Sequence, residues 1–221
     1  MSILNYEYAH IIGGDIISGL REQKKMMTRK KILDVSKNLF EKKGFKNVKT
    51  SEIAKLAEIG EGTLFNYFKS KSELFIAALF EDVASVEYKN DVVDLNSKEE
   101  IIEEICRIIE FYVKNAKEIH RTLLREYYSI IYDATDVDSK SSRQSYMDAD
   151  QIIADNLGAL FRALIEKEKI SPQFDVQTAV KCIYGCSITV FNEFVYNDLM
   201  TYAFMMREVK KQVEFILEGK L

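Results

Sequence analysis

Residues 50–71 read TSEIAKLAEIGEGTLFNYFKSK, two short helical patterns separated by only a few residues. Thr50 or Ser51 is placed to cap the first, and Ile53, Ala54, Leu56 and Ala57 give it a small apolar face. The turn Glu58-Ile59-Gly60 follows. The second helix is expected from about Glu61 to Phe68, with Leu64, Phe65 and Phe68 as its apolar side. Small side chains at Ala54 and Ala57 let two helices cross closely, as a helix-turn-helix requires. The second helix of such a unit enters the DNA major groove with its N-terminal residues leading.

Charge agrees with that placement. Between Arg21 and Lys71 there are 14 Lys or Arg against 6 Asp or Glu, a net of +8 in a chain whose total is −4. A basic N-terminal quarter on an acidic protein fits DNA binding by one domain only.

The same stretch resembles the TetR family of bacterial transcriptional repressors. The resemblance is carried by GEGTLFNYFKSKSELF (Gly60–Phe75), with a Gly-Thr-aromatic-Tyr-Phe run, a Lys-x-Lys and a Leu-Phe pair. Upstream, TRKKILDVSKNLFEKKGFKNVKTSEIA (Thr28–Ala54) is similar to the family's first helix, its Gly-Phe turn and the start of its second helix. The resemblance implies an all-α fold. A three-helix DNA-binding domain over 20–71, with its helix-turn-helix at about 50–69, would precede an effector-binding and dimerisation domain over 72–221. It implies backbone phosphate contacts from Thr50, Asn66, Tyr67 and Lys71, with Lys69 nearby. Gly60, Glu61, Gly62, Thr63 and Phe65 are placed to read base edges, and Ser51 belongs to the same surface. Two residues depart from the pattern. Glu58 stands where the family has Gly, so that the turn must either avoid a positive φ or strain to reach one. Glu61 stands where Lys is frequent: its carboxylate either accepts from a cytosine amino group, or caps the helix, or stays in solvent.

Residues 1–19 lie outside the resemblance and read equally as a mobile arm, an added contact or upstream sequence from a misassigned start. From Leu20 the chain is continuously helix-compatible, so the first helix is expected to begin before Thr28. Beyond residue 71, Ser70 or Ser72 caps a helix to about Glu87, and Ser97 with Glu100 forms a capping box for a helix over 98–117. Further helices are expected over 119–133, 143–169, 176–197 and 199–218, with a loop over 135–142 and a stop at Ser171-Pro172. By family resemblance the last two helices dimerise, with Phe191, Phe194, Val195, Val213 and Ile216 across a two-fold axis. An effector pocket is expected among the central helices, lined by Cys106, Phe111, Tyr112, His120, Glu126, Tyr127, Tyr128, Tyr146 and Phe161. Its apolar and aromatic character favours a hydrophobic or aromatic small molecule.

Other classes find little support. The 2 histidines, His10 and His120, form no metal or catalytic spacing, no glycine-rich phosphate loop occurs, and no cofactor is expected. No apolar run reaches membrane-span length. The 3 cysteines, Cys106, Cys182 and Cys186, suit a reducing cytoplasm better than a disulfide framework. The expected partners are double-stranded operator DNA, a second copy of the chain and a small effector. The protein would sit in the cytoplasm on the nucleoid. A protein of the same fold controlled by a protein partner, without a small ligand, is the other reading.

Overall fold

The computed structural model describes the backbone of residues 4–84, 88, 95–133 and 140–220. Nothing is described of the side chains of residues 1–19, 81–87 and much of 140–149, so the role of residues 1–19 and the placement of the Tyr146 ring fall outside it. The fold is all-α, and the chain forms two compact units, Met1–Ala78 and Leu79–Leu221.

In the N-terminal unit, α1 spans Leu4–Asn47 and turns sharply at Gly44, whose φ of 73° and ψ of 164° lie where a side chain is strained. Helices α2 (Thr50–Leu56) and α3 (Glu61–Tyr67) follow, and then α4 (Lys71–Ala84). Ser70 Oγ accepts from Glu73 N–H at 3.1 Å, fixing the start of α4. The core is a ring cluster in which Phe40 meets Phe75 edge-on at 4.9 Å and Phe45 packs 5.0 Å from Phe75. Ile32, Ile53, Leu64 and Phe68 close around it, each with at most 1% of its surface exposed. Edge-to-face aromatic pairs add to the burial itself. Because Leu74, Phe75 and Ala78 are buried with this cluster, the first half of α4 belongs to the N-terminal unit. The division therefore falls seven residues later than the expected 71/72 boundary.

In the C-terminal unit, α5 (Lys98–Val113) opens on the Ser97/Glu100 capping box. It gives way to a 3₁₀ turn at Lys114–Lys117 instead of running through it. His120 Nδ1 accepts from Thr122 N–H at 3.3 Å and caps α6 (Arg121–Ile131). Helix α7 (Lys140–Glu166) begins before the expected 143, so Lys140–Ser142 are helical rather than loop; residues 134–139 lie outside the description. Helix α8 (Val176–Tyr196) is capped by Asp175 and α9 (Tyr202–Ile216) by Thr201. α8 packs between α7 and α9, and α9 also packs on α5.

Candidate nucleic-acid interface

Helix α3 has two faces of opposite character. Leu64 and Phe68 are each 1% exposed and anchor it to the core. Glu61, Gly62, Thr63, Phe65 and Asn66 are exposed, and Tyr67 is half-buried. Phe65, expected on the inner side, is 44% exposed and joins the outer face. In α2, Ile53, Ala54 and Ala57 are buried as expected, whereas Leu56 is 53% exposed. The close crossing of α2 and α3 needs only Ala54 and Ala57, which leaves Leu56 one position off the contact line.

Gly62 is the informative residue on the outer face. A Cβ built there meets nothing within 4 Å. A glycine inside a helix costs up to about 1 kcal/mol relative to alanine. No intrachain packing needs the missing side chain, so close approach from outside the chain is what a bare backbone at this point permits.

Helix α3 starts at Glu61 as expected, whereas the start of α2 differs in one respect. Neither Thr50 nor Ser51 is the cap of α2: Lys49 holds that position without a side-chain cap. Thr50 is the first helical residue, and its Oγ1 donates to Glu61 Oε1 at 2.6 Å, tying the starts of α2 and α3 together. Ser51 is exposed. Glu58 does adopt the positive φ (59°) that its position demands. Its carboxylate accepts from Lys31 Nζ on α1, and that bond, together with the lysine charge, holds the Glu58 carboxyl below its ordinary range. Lys43 Nζ pairs with Glu52 at 2.6 Å.

The cations of this unit are therefore not equivalent. Lys31 and Lys43 are engaged by carboxylates. Arg29 lies with its guanidinium carbon 4.4 Å above the Phe68 ring, and Lys71 Nζ lies 4.4 Å above Phe45. Lys69 is exposed, and its backbone N–H donates to Glu73. Lys49, Lys55, Lys69, Asn66 and Thr63 give the exposed surface of α2 and α3 the donors that phosphates and base edges require.

In the C-terminal unit eight of the nine expected effector contacts are described, Tyr146 being the exception, and each is placed here by its nearest partners. Phe111 lies edge-on to Tyr112 at 5.1 Å and to Tyr88 at 5.3 Å, and Asn156 Nδ2 donates to Tyr112 Oη at 3.0 Å. A second group joins Tyr127 to Phe80 (4.7 Å) and to Tyr128 (5.7 Å), and Tyr128 to Phe191 (6.3 Å). Burial pushes the phenols of Tyr127 and Tyr128 well above the ordinary tyrosine range. Phe161 is fully buried and packs 5.0 Å from Phe174. Cys106 is half-buried in the field of Lys210 and Glu214, Glu126 is half-buried, and His120 is the exposed cap of α6.

Three of the five expected dimer residues are already buried within the single chain. Phe194, Val195 and Val213 are at most 1% exposed within a single chain, because α8 and α9 turn these residues toward each other and their own neighbours. Phe191 and Ile216 are half-buried. The face of α8 left open carries Cys182, Gly185, Thr189 and Tyr196, and that of α9 carries Phe204 and Phe215, the latter 77% exposed. A Cβ at Gly185, as at Gly62, meets nothing within 4 Å. The recurrence of small residues at 182, 185 and 189 was the available sequence signal for this face.

The model of bacterial regulatory proteins of the tetR family matches residues 32–78, which include α2, α3 and the flanking parts of α1 and α4. The HTH-type transcriptional regulator QacR of Staphylococcus aureus is 29% identical over 137 residues, covering 58% of this chain and 69% of QacR. Against another curated S. aureus HTH-type regulator, the match spans only 60% of that relative's length. Among solved structures, FadR from Bacillus subtilis in complex with stearoyl-CoA shares the fold with a TM-score of 0.61 and 19% identity, over 86% of this chain and 98% of FadR. SmeT, the repressor of the Stenotrophomonas maltophilia multidrug efflux pump SmeDEF, shares it with a TM-score of 0.61 and 15% identity, over 87% of this chain and 89% of SmeT. No described helix is long and apolar enough to cross a membrane, and no group of three or more metal-binding side chains occurs among the described residues. With the helix-turn-helix, the matched segment and the shared fold in agreement, the chain is a transcriptional regulator that belongs to the TetR family.

Proposed function

We propose that the protein is a homodimeric repressor that binds a palindromic operator through the outer face of α3 and is released by a hydrophobic or aromatic small molecule. The observation that carries the DNA-binding mode is Gly62, a helix residue whose missing side chain serves nothing in its own chain. Close backbone approach to a groove gives that absence a use. Gly60, Glu61, Thr63 and Phe65 surround it as candidate base contacts, and Asn66, Tyr67, Lys69 and Lys71 as candidate phosphate contacts. Residues 20–78 would then be the DNA-binding unit, and the rest of the chain the effector and dimerisation unit.

Dimerisation is supported by Gly185 on the same reasoning. Cys182, Gly185 and Thr189 leave α8 open to close approach by a second helix, and Phe204 and Phe215 are exposed apolar side chains of α9. A two-fold dimer presents two copies of α3 to two half-sites one helical turn apart or a multiple of it. For the effector, the two aromatic groups around Tyr112 and Tyr127 offer apolar walls with few polar partners, a composition suited to a planar or long-chain ligand. FadR's stearoyl-CoA gives a long acyl chain as one class to try. Effector and operator oppose each other to the extent that each prefers a different spacing of the α3 pair.

Selection of bound sequences from a random duplex library, followed by gel-shift titration, tests the reading. A palindromic motif and its release by a ligand from a thermal-shift screen of acyl, aromatic and cationic dye compounds are the expected results. Binding to all duplexes alike would overturn it.

A further inference from the structure

Glu61 is the first residue of α3, on the face directed away from the core, in a segment whose net charge is strongly positive. The three carboxylates of the helix-turn-helix are not handled alike. Glu52 is paired with Lys43 and Glu58 with Lys31. Among the described residues Glu61 has no cationic partner; its one hydrogen bond comes from the Thr50 hydroxyl, 2.6 Å away. A carboxylate brought next to DNA without a counter-charge repels phosphates and weakens binding. Its presence on this face calls for a donor on the DNA to offset that repulsion.

The Thr50 hydroxyl also decides between two roles. A hydroxyl has a single proton to donate. While Thr50 donates to Glu61 it cannot donate to a phosphate oxygen, and the adjacent carboxylate would repel that phosphate. The geometry makes Thr50 a positioning residue: it holds Oε1 of the exposed Glu61 carboxylate and leaves Oε2 without a partner among the described residues, able to accept from outside the chain. In the major groove the exocyclic amine of cytosine is the donor that a carboxylate accepts from.

We propose that Glu61, held by Thr50, is a specificity-determining residue that accepts from the amino group of a cytosine in each operator half-site. The proposal rests on the DNA-binding reading above and names one base that reading leaves open.

The test uses the full-length protein and the sequence selection described above, repeated with Glu61→Ala, Glu61→Gln and Thr50→Val, each checked for native helical content and melting. Wild type is expected to prefer cytosine at one half-site position by about 5- to 150-fold. Glu61→Ala should flatten that preference to within about two-fold and bind random-sequence duplex more tightly, because a negative charge has gone. Glu61→Gln should shift the preferred base toward adenine, whose amine and N7 suit an amide. Thr50→Val should lower the cytosine preference with the salt dependence on random DNA unchanged. Two results overturn the proposal alone: a Glu61→Ala motif identical to that of wild type, or a Thr50→Val protein weakened equally on all sequences with its preference intact. A wild-type protein that selects no motif overturns the DNA-binding reading, and this inference with it.

Discussion

The guanidinium carbon of Arg121 on α6 lies 3.3 Å from the centroid of the Phe194 ring on α8. The same side chain donates to the carbonyls of Asn197 (3.3 Å) and Met200 (2.7 Å), and neighbouring Arg125 donates to the Val195 carbonyl at 2.9 Å and pairs with Asp198. Two arginines on one helix thus satisfy carbonyls at the end of α8 and in the turn leading to α9, where no intrahelical donor exists. Only a planar fork can stack on a ring and reach two carbonyls together. Arg121→Ala is expected to destabilise the C-terminal unit by about 1–2 kcal/mol, discounted for partial exposure. Arg121→Lys should restore less than half of that loss. A urea titration followed by circular dichroism measures both, and full recovery by lysine would show that charge alone matters.

Gly62→Ala should move stability and affinity in opposite directions. The added methyl meets open space and removes a glycine from a helix, so melting should rise, by up to about 1 kcal/mol in stability. The same methyl intrudes on a closely approaching groove, so operator affinity should fall at least tenfold in gel shift. Gly62→Val should abolish specific binding with the fold intact. Retained affinity in the alanine variant would place the DNA elsewhere.

Glu58 combines a strained backbone with a useful side chain. Its positive φ favours glycine, whereas its carboxylate binds Lys31. Glu58→Ala keeps the strain and loses the pair, so it should melt below wild type, while Glu58→Gly relieves the strain and should melt above Glu58→Ala by a few degrees. Because Lys31 lowers the Glu58 pKa from 4.5, the pair stabilises fully at pH above that value. Its contribution disappears only as pH falls through the lowered folded value. Wild type and Glu58→Ala should therefore converge in stability as pH falls from 4.5 through the lowered folded value, and equal melting at neutral pH would disprove the pair's contribution.

The N-terminal unit was legible because its signals are local. The Ser70 cap, the turn glycines and the spacing of Ile53, Ala54, Leu64 and Phe68 act within a few residues, and those four apolar side chains are buried. Phe65 and Leu56 were misplaced because an apolar side chain carries no mark of whether it faces a core or a partner, and short helices offer too few turns to fix the phase. The same ambiguity governs α8, apolar nearly all round: periodicity could not separate Phe194 and Val195, turned inward, from Cys182 and Gly185, turned outward. Thr50–Glu61 and Lys31–Glu58 join residues 11 and 27 positions apart, across a crossing whose geometry no spacing rule supplies.

That inward and outward division changes which substitution tests the dimer. Val213→Glu would bury a carboxylate in the chain's own core, since Val213 is 1% exposed, and is expected to unfold the C-terminal unit. Gly185→Leu instead adds bulk to an open face, so it should leave helical content intact and sediment as a monomer. Thiol reactivity supplies an independent reading. Cys182 is exposed in the single chain and lies one helical turn from Cys186, on the Gly185 side of α8. Burial pushes the Cys106 thiol up to about 11, so at pH 8 only roughly one molecule in a thousand carries its thiolate. With iodoacetamide at that pH, Cys182 should react at least tenfold faster in Gly185→Leu than in wild type, and Cys106 should stay unmodified in both. A Gly185→Leu protein that remains dimeric, with Cys182 as reactive as in wild type, would show that this face of α8 meets solvent. The Phe204 and Phe215 surface of α9 would then be the next to alter.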